Sequence, residues 1–185
     1  MTFQYFWFDT YPGFFCEVLP IALLVGIIFG IAKYKNDKQT SLSTKILSCA
    51  FIAYMTGLVC LVVLLDVVRT FWYYVFYHMD SGIGIRFFTF DFNMIPDFWN
   101  HINAEVIGNI LMFLPFGILY PFFDTKADWK KTVIVGIAVT VVIEILQPVF
   151  GRIFDINDVI LNTFGVIISA TVFYAISGVL KKISS

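Results

Sequence analysis

Charge is scarce in this sequence. Lysine and arginine number 12 and aspartate and glutamate 13, so charged residues fill 14% of 185 positions, against about 25% in ordinary soluble domains. The formal net charge of −1 leaves no basic surface for phosphate, which excludes a nucleic-acid binder. With 59% hydrophobic residues and a mean hydropathy of +0.86, the chain is also too apolar for a soluble enzyme. A small fold has too much surface for its volume to hide that many apolar side chains. Disorder is excluded on the same composition. Histidine occurs 2 times and cysteine 3 times, with no spacing that suits a zinc site or a disulfide framework. Cys16 opens the first apolar run, and Cys49 and Cys60 lie in the second, where free thiols act as small packing residues. Nucleophile elbow, HExxH, P-loop and GxGxxG are all missing. Internal repeats and low-complexity stretches are missing too. No metal and no cofactor is expected.

What the sequence does have is five long apolar runs. They fall near residues 14–32, 46–65, 106–123, 132–148 and 160–180. Crossing a bilayer as a helix takes about 20 residues. Inside lipid every backbone N–H and C=O needs an internal partner, so these runs are expected as helices. The expected fold is therefore all-α: a polytopic membrane helix bundle of about five transmembrane helices, forming a single multi-pass domain over residues 1–185. The loop after the first run holds Lys33, Lys35, Lys38 and Lys45, and the loop after the third holds Lys126, Lys130 and Lys131. Lys181 and Lys182 follow the fifth. Only Arg69, Arg86 and Arg152 fall on the other side. Under the positive-inside rule this alternation predicts an N-terminus outside and a C-terminus inside.

Two outer stretches are rich in rings. Residues 3–8 are aromatic and lack a basic flank, so they read as an interfacial segment and not as a secretory signal. Residues 67–105 carry twelve aromatics, including Phe71-Trp72-Tyr73-Tyr74. Phe88, Phe90 and Phe92 alternate with Thr89, Asp91 and Asn93, a period of two that predicts an extended piece or a short hairpin near Ser81-Gly82. This outer segment is either an aromatic belt or a cover over a lipid-facing site. His78 sits among its rings, and Asp97, His101 and Glu105 are spaced i, i+4, i+8, which a polar interfacial helix explains better than a metal set.

Polar residues inside apolar runs are costly and each needs a reason. Glu144 and Gln147 share a helix face near the outer end of the fourth run. Asp155, Asp158, Asn162 and Gly165 recur so that, at about 100° per residue, they fall within an arc of roughly 80° if the stretch is helical. Asn109 enters the third run from the same side, with Glu105 one turn above it. A carboxyl held among apolar groups, as Glu144 would be, suits acid or base work. Arg152 suits a phosphate or carboxylate, or the neutralisation of Asp155 and Asp158. Asn109, Gln147 and Asn162 offer neutral donors and acceptors. Three roles stay open for this cluster: a network that glues three helices, a site for a lipid head group or envelope ligand, and catalysis on a lipid-linked substrate.

The residues in order are Asn93-x2-Pro96, Asn109-x3-Phe113-x-Pro115-x-Gly117, Glu144-x2-Gln147, Arg152-x2-Asp155-x2-Asp158 and Asn162-x2-Gly165. This set resembles the VanZ-like family of bacterial membrane proteins over about residues 83–175. The resemblance implies a multi-pass protein of the bacterial cytoplasmic membrane. The family's namesake is linked with resistance to teicoplanin and related lipoglycopeptides, without remodelling of the D-Ala-D-Ala target. The partners so implied are membrane lipids and a lipoglycopeptide or lipid-linked cell-wall precursor. The resemblance brings no catalytic residues. It brings Asn109, Glu144, Gln147, Arg152, Asp155, Asp158 and Asn162 as a candidate polar site, and Pro96, Pro115, Gly117 and Gly165 as structural positions. The rival roles are an intramembrane enzyme acting on a precursor or phospholipid head group, and a small transporter or structural partner.

Overall fold

The computed structural model describes residues 2–184 except 38, 80, 81, 83, 86, 90, 101 and 102, with side chains described through residue 179. The expected turn at Ser81, the ring of Phe90, and Lys38, Arg86 and His101 lie outside the described residues, as do the side chains of Lys181 and Lys182. Five helices are long and apolar enough to cross a membrane: α2 (Tyr11–Asn36), α3 (Leu42–Val62), α5 (Ala104–Phe123), α6 (Trp129–Leu146) and α7 (Ile156–Ser184). Two shorter helices, α1 (Phe3–Asp9) and α4 (Leu65–Tyr77), precede α2 and follow α3. The chain is an all-α polytopic bundle.

Most spans begin outside their apolar run, because the capping residue is polar. Thr10 accepts from Gly13 N at 3.2 Å, Ser41 from Thr44 N at 3.3 Å, Asn103 from Val106 N at 3.0 Å, and Asp128 from Lys131 N at 2.8 Å. Each side-chain oxygen satisfies an amide that the helix itself leaves without a partner. Pro115 removes one intrahelical donor from α5 and crowds the carbonyls of the preceding turn. Tyr54 on α3 donates to the Met112 carbonyl in that turn at 2.8 Å.

Close packing centres on α5, α6 and α7. A Cβ on Gly165 would lie 2.3 Å from the Ile110 carbonyl oxygen, and one on Gly117 would lie 2.2 Å from Ser169 Oγ. The α5 and α7 backbones therefore touch. Gly136 does the same for α6 against Val166. Phe116, fully buried, stacks on Tyr120 at 5.4 Å and meets Phe51 edge-on at 5.5 Å, joining α3 to this seam. The outward faces of α2, α6 and α7 expose Leu23, Ile27, Ile134, Val142, Ile168 and Val172, as lipid-facing helices do.

The aromatic stretch at 71–74 is helical, a conformation that the reading of 67–105 as an aromatic belt or cover did not assign. Aromatic and β-branched residues are weak helix formers. Here packing decides, since α4 lays its rings on α1. Trp7 meets Trp72 at 6.0 Å and Phe76 at 5.4 Å, and Phe8 meets Tyr73 at 5.3 Å. Arg69 donates to the Phe8 carbonyl and pairs with Asp9 and Asp66 at 3.8 and 4.0 Å. His78, in the left-handed region with φ 54°, ends α4 by donating its N–H to Tyr74 O.

The spans alternate in direction, so the described lysines gather at one end. There Lys33 donates to Ser48 Oγ, and Ser48 donates onward to Phe122 O at 2.7 Å. Lys131 pairs with Asp124, and that pairing holds the Asp124 carboxyl below its ordinary range. The other end carries α1, α4 and the polar groups.

Gly165→Ala is expected to destabilise the bundle by about 3 kcal/mol through overpacking of the α5–α7 seam. Gly108→Ala, whose added Cβ meets open space, is expected to be neutral or slightly stabilising. Thermal unfolding in detergent, followed by loss of the monodisperse gel-filtration peak, compares them. Equal midpoints for the two variants would contradict a glycine-dependent seam.

Candidate functional site

The lysine-poor end is organised by the return from α6 to α7. Pro148 breaks α6 into a short 3-10 turn, Gln147–Phe150, and Gly151 (φ 84°) reverses the chain in a conformation that only glycine adopts cheaply. Arg152 N–H then donates to Gln147 O at 3.0 Å. The reversal brings residue 155 back beside Glu144. Glu144 is 1% exposed. Its Oε1 accepts from Gln147 Nε2 at 3.0 Å and its Oε2 from the Asp155 backbone N at 3.3 Å.

The segment around Phe88, Thr89 and Phe92 is strapped onto this turn. Phe88 N and Thr89 N donate to the carbonyls of Val149 and Pro148 at 3.2 and 2.9 Å, and Thr89 Oγ1 donates to Arg152 O at 2.7 Å. Beyond it, β1 (Phe92–Asn93) pairs in parallel with β2 (Phe154–Asp155), in register Phe92 with Phe154 and Asn93 with Asp155. Asn93 Nδ2 donates to Asp155 Oδ2 at 3.1 Å, while Asn93 Oδ1 accepts from Ile95 N at 3.3 Å. That Asx turn leads into Pro96. The extended piece anticipated in the sequence is thus present, but its partner is the turn after α6, not a local hairpin strand.

Asp155 and Asp158 have different tasks. Asp155 precedes α7, where its Oδ1 accepts from Asn157 N at 2.8 Å and caps the helix. It is therefore not part of a helical stripe, which runs instead through Asp158, Asn162 and Gly165. Asp158 accepts a short hydrogen bond from Asn109 Nδ2, joining α7 to α5. One turn below, Asn162 buries an amide oxygen that has no hydrogen-bond partner. Among the described residues no ion pair within 4.0 Å links Arg152 to Asp155 or Asp158. Arg152 donates to Val62 O at 3.1 Å, at the carbonyl end of α3. A cation is favoured there because the last carbonyls of a helix lack partners.

Three residues with buried or bridging polar roles were not among the candidate site residues. Asn157 accepts from the backbone N–H of Asp97 and Phe98 at 2.9 and 3.2 Å and donates to Asp97 Oδ1 at 2.9 Å. Asp97 is therefore held in a loop before α5 while Glu105 lies in the first turn of that helix, so these two do not share the face of one interfacial helix. Asn93 was visible only as part of a motif. Glu17, in α2, is fully buried with neither carboxylate oxygen hydrogen-bonded, and Arg69 is the cation that acts on it through charge. Its signal was simple: it is the one acid within the first apolar run.

Beside the network lies an apolar pocket of about 370 Å³. Phe88, Phe92 and Met94 form its outer wall, and Ile145, Pro148 and Phe154 its inner one. Ile145 and Phe154 adjoin Glu144 and Asp155 in sequence, so the pocket and the network are built on the same turn. Among the described residues no group of three His, Cys, Asp or Glu side chains is placed to hold a metal.

Asn157→Leu removes the acceptor of two loop amides and is expected to weaken the strap by about 2 kcal/mol. Deuterium uptake over residues 94–100 should then rise while uptake in α5 and α7 stays unchanged. Unchanged uptake in the loop would mean that Asn157 does not hold it.

A family model described as VanZ/LLP1 matches residues 17–177. That match takes in α2 and α3, which the sequence motifs did not reach. No curated protein and no solved structure matches.

Proposed function

The chain belongs to the VanZ/LLP1 family, and from that premise we propose that it lowers susceptibility to teicoplanin-type lipoglycopeptides from the bacterial cytoplasmic membrane. In this proposal the lysine-poor end faces outward, as the positive-inside rule favours. The site takes the acyl tail of a lipid or lipid-linked ligand and so weakens the antibiotic's anchorage in the outer leaflet. The observation that carries this is the apolar pocket walled by Phe88, Phe92 and Phe154, directly beside a buried polar network. An amphipathic ligand needs that combination. Its tail fills the pocket, and its head meets Asp155, Asp158 and the exposed guanidinium of Arg152.

Membrane anchoring by an acyl chain gains about 0.8 kcal/mol per buried CH₂. Keeping a few methylenes out of the leaflet therefore changes local antibiotic concentration by orders of magnitude. An antibiotic without such a tail escapes this effect.

Expression in a susceptible host is expected to raise the inhibitory concentration of teicoplanin and leave that of unlipidated vancomycin nearly unchanged. Ile145→Trp, which fills the pocket, and Asp158→Asn, which keeps an acceptor for Asn109 but removes the charge, should each abolish protection. Both proteins should still accumulate in membranes. Equal protection against both antibiotics would defeat the anchoring mechanism, and loss of accumulation in both variants would reduce the network to a structural role.

A further inference from the structure

A second apolar groove lies at the opposite, lysine-bearing end, between α2 and α3. Its volume is about 430 Å³. Gly26, Gly30, Ala50 and Ala53 form its floor, because side chains that small leave the two backbones close and the space above them open. Leu23 and Ile27 rise on the α2 side. Tyr34 and Lys45 close it at the lysine-bearing end.

Lys45 is unusual among the cations there. It is 9% exposed, yet among the described residues no hydrogen bond and no ion pair within 4.0 Å reaches its ammonium, which lies 5.4 Å from the centre of the Tyr34 ring. Its neighbours are occupied otherwise. Lys33 donates to Ser48 and lies over the rings of Phe29 and Phe123. Lys131 pairs with Asp124. Asp37 accepts from the backbone N–H groups of Gln39 and Thr40 at 3.1 and 3.0 Å. The hydrogen bonds from Thr40 are what chiefly hold its carboxyl below the usual range, with Lys45 the weakest of the causes. A buried charge ordinarily has an opposite charge beside it. Lys45 has only the longer-range charge of Asp37, which is engaged by Gln39 and Thr40, and lines an apolar groove.

We propose that this groove binds an anionic diacyl phospholipid, with the phosphate on Lys45 beside Tyr34 and one acyl chain lying along Gly30 and Gly26. The groove supplies apolar depth and the lysine supplies the charge that the lipid lacks. Basic pockets between helices at a membrane surface select anionic head groups for this reason. The site is independent of the lysine-poor end and of any role in antibiotic susceptibility.

Native mass spectrometry of the detergent-purified full chain tests it, using phosphatidylglycerol and phosphatidylcholine with identical acyl chains. Wild-type protein should retain phosphatidylglycerol in preference to phosphatidylcholine. Lys45→Gln should lower that preference about fivefold, Lys45→Arg should keep it, and Lys130→Gln, at an exposed lysine of the same end, should leave it unchanged. Ala50→Phe, which fills the groove, should remove phosphatidylglycerol adducts while Lys45 remains. Gel filtration confirms that each variant is folded, and Ala50→Phe decides if Lys45→Gln is not. No preference in the wild type, an equal loss in Lys45→Gln and Lys130→Gln, or full retention in a folded Ala50→Phe protein would each overturn the proposal.

Discussion

Contact between the α5 and α7 backbones is the constraint on which the rest of the structure depends. Two glycines permit it, Gly117 against Ser169 and Gly165 against the Ile110 carbonyl. In lipid, helices gain nothing from hiding apolar surface, so close van der Waals approach and polar contacts must hold them. Once the two helices touch, Asn109 stands opposite Asp158 and can bond it. With α7 so fixed, Asp155 at its cap lies within reach of Asn93 and Glu144, and Asn157 within reach of the 97–98 loop. The polar network is therefore a consequence of the seam as much as a glue for it. A side chain at either glycine would move α7 and all its partners together.

The two buried acids of the lysine-poor end meet different surroundings. Glu144 is tied through both oxygens to neutral donors, an amide side chain and a backbone N–H. The Glu17 carboxylate accepts no hydrogen bond among the described residues and feels the charge of Arg69, which is itself shared with Asp9, Asp66 and the Phe8 carbonyl. The buried Nε1 of Trp7 and Nε of Arg69 also lack partners. Unsatisfied groups of both kinds, donors and acceptors, thus collect where α1 and α4 cover α2. Hydrogen bonding is complete at Glu144 and incomplete at Glu17, so the first acid is locked and the second is held by packing and charge.

Much of this was legible in the sequence, and the misses have physical causes. The five spans follow from apolar length alone, and most of their starts were placed too late, because Thr10, Ser41, Asn103 and Asp128, polar and outside the runs, cap the helices. The common depth of Asn109, Glu144, Asp155 and Asp158 followed from threading. Gly117 and Gly165 were marked as structural, and they are where the seam closes. By contrast, the pairing of β1 with β2 joins residues about sixty positions apart through two residues each, too little for any local pattern to report. Helix α4 was hidden by rings whose intrinsic preference is for strands, and only its packing on α1 overrides that. Asn157 was passed over because its task is to hold a loop, and no residue near it in sequence announces the loop. Arg152 was read as an anchor for a phosphate or carboxylate or as a neutraliser of Asp155 and Asp158, and its hydrogen bond to the distant Val62 carbonyl has no signal in the local sequence.

The same geometry bears on whether the network holds a ligand or transforms one. A general acid or base must come within hydrogen-bond reach of a reacting atom. Glu144 is 1% exposed and both its oxygens are already engaged, so no reacting atom can approach it without dismantling the turn after α6. Asp158 spends one oxygen on Asn109, and Asp155 spends both on Asn93 and Asn157. The adjoining pocket is walled almost wholly by hydrocarbon, with Thr89 its one polar wall residue, and that hydroxyl is bonded to Arg152 O. Proton transfer needs loosely held groups facing a polar reactant. Holding an apolar chain beside a fixed polar rim needs what is present, a rigid network and a greasy slot. The arrangement therefore suits holding an apolar chain better than proton transfer, and the backbone hydrogen bonds from Phe88 and Thr89 to the turn fix the aromatic segment as one wall of the pocket.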